Sequence, residues 1–64
     1  MFASSAKKRV LLVDDEAYLR EIYSLELSRE GFDVLLATNG EEGLDMIRRE
    51  RPDAILLDLQ MPVK

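Results

Sequence analysis

The sequence contains no cysteine and no histidine, which excludes disulfides and Cys/His zinc centres. It also has no apolar run near the ~20 residues that a membrane-spanning helix needs. Met1 to Ala6 is small and polar and lacks the apolar core of a signal peptide. The basic residues Lys7, Lys8 and Arg9 form only a short run before the first strand, against a net charge of −4. Nucleic acid is not an expected partner, because phosphate contacts need grouped Lys and Arg. A membrane is not expected either, and absence of cysteine fits the cytoplasm.

What remains has the composition of a folding chain, 47% hydrophobic and 34% charged. The chain of 64 residues allows one domain at most. A domain that short buries only about 60% of the surface of its unfolded chain. With disulfides and zinc excluded, association with another chain is the remaining way to add stability.

Three short apolar runs alternate with two helical patterns. Val10-Leu11-Leu12-Val13 reads as a strand covered on both faces. Asp14-Asp15-Glu16 ends it, with Asp15 as the expected helix N-cap. Residues from about Glu16 to Glu30 carry Leu19, Ile22, Tyr23 and Leu27 on one stripe, and Glu16 and Arg20 stand in the favoured i,i+4 order. Gly31 suits the position just past that helix. Leu25 falls off the stripe. Val34 to Ala37 reads as a second strand, and about Gly40 to Glu50 as a second helix with Leu44, Ile47 and Met46 on its apolar side. Gly43 inside that helix costs roughly 1 kcal/mol relative to alanine and implies a close helix–sheet approach. Arg51-Pro52-Asp53 stops the helix. Ala54 to Leu57 is the third strand, ending at Asp58. The order β-α-β-α-β with short connections implies an α/β fold with a parallel sheet and right-handed crossovers.

Sites in such sheets form beyond the carboxyl ends of the strands. Asp14 and Asp15 follow the first strand and Asp58 ends the third. Were those strands neighbours, the carboxylates would converge, and a cation would relieve their repulsion. Mg²⁺ suits hard oxygen ligands, few of them from protein. A carboxylate beside it could serve as a phosphoryl acceptor. Taken singly, an Asp-Asp pair after a strand is more often a cap and a solvated acid, and a lone strand-end Asp is more often a turn residue. Their joint placement favours the site.

The motifs Val10-Leu11-Leu12-Val13-Asp14-Asp15-Glu16 and Asp53-Ala54-Ile55-Leu56-Leu57-Asp58-Leu59-Gln60-Met61-Pro62 resemble the opening signatures of two-component response-regulator receiver domains. Thr38-Asn39-Gly40-Glu41-Glu42-Gly43-Leu44 resembles that family's entry to the second helix, and the resemblance spans about residues 8 to 62. It implies a flavodoxin-like, doubly wound sheet, of which this chain supplies three strands in the order 2-1-3. It implies Asp58 as phosphoacceptor and Asp15 as a direct Mg²⁺ ligand. Asp14 would act directly or through water, and Gln60 through its backbone carbonyl. Met61-Pro62 would begin a loop closing over the site. A sensor histidine kinase is the implied partner of the parent protein, and the module is not itself an enzyme.

Residues 1–7 are then a tail, and 8–64 the first half of a receiver domain. The family's Ser or Thr after strand four and Lys after strand five have no counterparts here; Lys64 lies in the loop after strand three. Regulated phosphotransfer by this chain alone is therefore not expected. An apolar third strand left at the sheet edge invites pairing with a copy of itself, so a homodimer is expected. Two functions from different classes follow: a phosphoacceptor module of two-component signalling, or a half-domain whose only activity is self-assembly. A flavodoxin-like cofactor binder fits poorly, because the first turn is acidic where a phosphate cradle needs glycines.

Overall fold

The computed structural model describes residues 7–58. The tail read at 1–7 therefore lies outside them except for Lys7, and Gln60, Met61 and Pro62 lie outside them entirely. Strand β1 (Arg9–Asp14) is followed by α1 (Ala17–Arg29), β2 (Asp33–Ala37), α2 (Gly40–Glu50) and β3 (Ala54–Asp58). The three strands form one parallel sheet in the order β2-β1-β3, as expected. Right-handed crossovers on either side of β1 place the two helices on opposite faces.

β1 holds the sheet together because it is apolar and central. Leu11 and Leu12 are fully buried, and Val10 and Val13 nearly so. Each such side chain contributes about 1.5–3 kcal/mol on burial. Alternation sends Leu11 and Val13 to the α2 face, where they pack with Ala37, Leu35, Met46 and Ile47. Val10, Leu12 and Asp14 then point to the α1 face.

The expected close approach of helix and sheet is present at Gly43. A Cβ built there would lie 3.0 Å from Val13 Cγ2. At the other end of the sheet Arg9 clamps three segments. Its Nη2 pairs with Glu50 Oε1 at 2.7 Å, its backbone N–H donates to Asp53 Oδ2 at 2.7 Å, and its carbonyl accepts from Asp53 N–H at 2.8 Å.

The helix termini differ in part from expectation. Asp15 is not the N-cap of α1; Glu16 is, and it makes no capping bond with its side chain. The reason is local: Asp14 Oδ1 accepts from Glu16 N–H at 3.0 Å, a turn that spans Asp14 to Glu16, so the helix starts one residue later than expected. Nor does Arg20 pair with Glu16, since its Nη1 donates instead to the Asp14 carbonyl at 2.8 Å. The far end of α1 behaves as read. Gly31 adopts φ 99°, its N–H donates to Ser28 O, and Phe32 N–H donates to Leu27 O, closing a Schellman motif.

The helices cover less than their sequence stripes suggest. No residue of α1 is fully buried, and Ile22 stays partly exposed with Tyr18 and Leu25. Leu44, expected on the apolar side of α2, is 56% exposed. It borders an apolar groove of about 310 Å³ with Val13, Gly43, Ile47, Ile55 and Leu57. The groove exists because neither helix packs against β3.

The Gly43 contact sets a size limit. Gly43→Ala should change stability by less than about 1 kcal/mol, since the gain in helix propensity offsets a small shift of Val13. Gly43→Val should cost about 1–3 kcal/mol through overpacking. Chemical denaturation of both variants checks this, and equal stabilities would disprove the limit.

Candidate functional site

The register of the central strand decides which acids meet. β1 pairs with β3 so that Leu12 faces Leu56, Val13 faces Leu57 and Asp14 faces Asp58. Partners in a parallel ladder share a face, so Asp14 and Asp58 stand side by side at the carboxyl edge. This edge is also the switch point, where the connections from β1 and β2 leave on opposite faces. Asp14 is completely buried, Asp58 is half-buried, and Asp15 is exposed.

Asp14 is the unusual member. Its Oδ1 accepts the Glu16 N–H, but its Oδ2 is buried with no hydrogen-bond partner. A buried acceptor left unmade costs about 1–3 kcal/mol, and more when charged. A hard cation at this edge would remove that cost. Among the described residues no three acidic side chains stand close enough to hold a metal by themselves. The donors present therefore fit an ion that takes few protein oxygens and keeps its waters, as Mg²⁺ does, and not one that needs a closed protein cage.

Arg20 and the start of α2 border the edge. Arg20 reaches over the β1–α1 turn to the Asp14 carbonyl. At the start of α2, Asn39 Oδ1 accepts the Glu42 N–H at 2.8 Å, while Glu42 Oε1 accepts Thr38 N–H at 2.7 Å and Thr38 Oγ at 3.0 Å. The backbone and hydroxyl bonds from Thr38 hold the Glu42 carboxyl below the usual carboxylate range, with a smaller contribution from the Arg20 charge. Neither role was drawn from the sequence. The Asn-x-x-Glu spacing that opens α2 is a readable capping signal; Arg20 has none, because its partner is a main-chain atom.

An open parallel sheet with paired carboxylates at its switch point defines a class of phosphate- or cation-handling α/β domains. The comparison with known families makes the class specific. The model of the response regulator receiver domain matches residues 10–64, and the chain belongs to that family. It is 46% identical over 56 residues to the probable transcriptional regulator ycf27 of Porphyridium aerugineum, covering 88% of this chain and 23% of that protein. It is 50% identical over 54 residues to the response regulator MprA of Mycobacterium avium, covering 84% of this chain and 24% of that protein. The chain thus spans about a quarter of the length of these relatives. Among the described residues no helix is long and apolar enough to cross a membrane.

The orphaned oxygen yields a stability test. Asp14→Asn should raise stability without metal by about 1–3 kcal/mol, because it removes an unpartnered buried charge. Mg²⁺ should raise the melting temperature of the parent chain but scarcely that of the variant. Thermal melts with and without MgCl₂ measure both; a variant that melts below the metal-free parent would count against this account of Asp14.

Proposed function

We propose that this receiver domain accepts a phosphoryl group on Asp58 in two-component signalling. The observation that supports the reading best is the in-register pairing of Asp14 with Asp58, beside a buried carboxylate oxygen that lacks a partner. Asp14, Asp15, Asp58 and the backbone carbonyl of Gln60 are the proposed cation ligands. Mg²⁺, when bound, supplies charge neutralisation and orientation for the phosphoryl oxygens.

Each residue then has a distinct task. Asp58, half-buried at the end of β3, is the proposed nucleophile. A carboxylate oxygen of Asp58 attacks phosphorus in line, the bond to the leaving group breaks, and the leaving group departs with the electron pair. The product is an aspartyl phosphate. Asp14 and Asp15 hold negative charge at the edge so that the dication is retained. The physiological donor proposed is a sensor histidine kinase, and the compartment is the cytoplasm. The word "transcriptional" in the ycf27 name describes that relative; an acidic receiver segment with net charge −4 is not proposed to touch nucleic acid. Regulated switching would further need the Ser or Thr and the Lys that the family carries on later strands.

A second reading is favoured by β3. Ile55 is 50% exposed and Leu57 62%, and no described strand pairs with its outer edge. An apolar open edge templates pairing with another strand. The 64-residue chain alone is then a homodimer joined β3 to β3, with self-assembly as its activity.

Two measurements separate these readings. Incubated with acetyl phosphate and Mg²⁺, the chain should gain one phosphoryl group by intact mass, and Asp58→Asn should gain none. No adduct at any donor concentration would refute the phosphoacceptor role. Sedimentation should show a concentration-dependent dimer, weakened by Leu57→Lys; a monomer at all concentrations would dispose of the self-association reading.

A further inference from the structure

Arg20 is a basic side chain that the structure brings to the acidic edge by a hydrogen bond. It sits in the first turns of α1, is part-buried, and donates Nη1 to the Asp14 carbonyl at 2.8 Å. That carbonyl is six residues back, outside the ladder of α1, whose first bond runs from Arg20 N–H to Glu16 O at 2.8 Å. Together with the bond from Glu16 N–H to Asp14 Oδ1, the contact ties the Asp14-Asp15-Glu16 turn at both its main chain and its side chain. The guanidinium suits this use, being planar, always charged and rigid in its donor fork. After the Thr38 hydrogen bonds, its charge also contributes, as the smallest of the causes, to lowering the Glu42 pKa at the start of α2.

A cation beside a cation site raises an immediate objection. By charge alone, Arg20 should repel Mg²⁺ and weaken its binding. By geometry, it should strengthen binding, because a turn whose carboxylates are already aimed has less ordering left to do. The two effects have opposite signs, so a single substitution tells which prevails. Removing partners that orient metal ligands typically lowers affinity by about 10–100-fold.

We infer that Arg20 is a positioning residue for the divalent-cation site: its bond to the Asp14 carbonyl holds the β1–α1 turn so that Asp14 and Asp15 present their carboxylates to the ion. The inference rests on the reading of Asp14, Asp15 and Asp58 as cation ligands.

The test is a Mg²⁺ titration of the chain followed by NMR, with the folded state checked by circular dichroism. Binding that survives both Asp15→Asn and Asp58→Asn would refute the site itself, whatever Arg20 does. With the site upheld, Arg20→Gln should lower affinity about 10-fold or more, and Arg20→Lys should fall between it and the parent. Equal or tighter binding in Arg20→Gln would overturn the inference. Should Arg20→Gln fail to fold, Arg20→Lys decides alone: weaker binding at unchanged charge supports positioning, and equal or tighter binding overturns it. Arg9→Gln is the control. It removes the same charge and cuts the clamp to Glu50 at the opposite end of the sheet. It should lower stability and leave Mg²⁺ affinity of the folded chain unchanged. A loss of affinity matching that of Arg20→Gln would assign the effect to general destabilisation and reject the positioning role.

Discussion

Everything in this structure depends on the pairing of β1 with a strand on each side. β1 contributes Val10, Leu11, Leu12 and Val13 to the interior, while β2 contributes Ala37 alone and β3 no buried residue. The same pairing that buries those side chains sets Asp14 opposite Asp58. A slip of one residue in that ladder would turn the apolar set of β3 to the other face and separate the two acids. The core and the acidic edge are therefore two consequences of one register.

The strands and helices were legible from the sequence because their signals are local. Continuous apolar runs marked the strands, Gly31 and Pro52 marked the ends of the helices, and Gly43 marked the closest helix–sheet contact. The pairing of Asp14 with Asp58 was legible only as a joint condition, since either motif alone reads as a cap or a turn. The details that escaped have a common cause. Whether Asp15 or Glu16 caps α1 turns on a side-chain bond within the Asp14 turn, and residue type alone favours the wrong one. Arg20 bonds a carbonyl in place of the carboxylate of Glu16, and no side-chain pattern encodes a carbonyl partner. The exposure of Leu44 depends on what lies across the groove, a question of tertiary cover and not of helical period.

The edge is organised around an imbalance of charge. Asp14 Oδ2 is buried without a donor, and Arg20 is engaged with the Asp14 backbone and not with that carboxylate. Had the guanidinium paired with Asp14 Oδ2, that oxygen would no longer be open to a dication. Bonding the carbonyl lets the arginine fix the turn and leaves the anionic oxygen available. Buried polar groups without partners cluster at functional sites for this reason: a ligand, and not the fold, completes their bonding.

The acidic edge needs only β1 and β3, but the state that presents it needs more. Ile55, Leu56 and Leu57 are 50%, 43% and 62% exposed. With about half of each side chain still uncovered, they leave roughly 2–5 kcal/mol of burial unrealised. That is comparable with the lower end of the net stability of a whole domain. Whatever covers β3, a further strand of the same protein or a second copy, would therefore change the folded population that carries the site. A ligand that binds only the folded state adds stability by mass action. Cover on β3 and a cation at Asp14 and Asp58 draw on the same folding equilibrium, so each favours the other without any contact between them. The two readings of this chain, phosphoacceptor and self-assembling unit, are in that sense coupled: covering β3 raises the population in which Asp14 and Asp58 stand side by side.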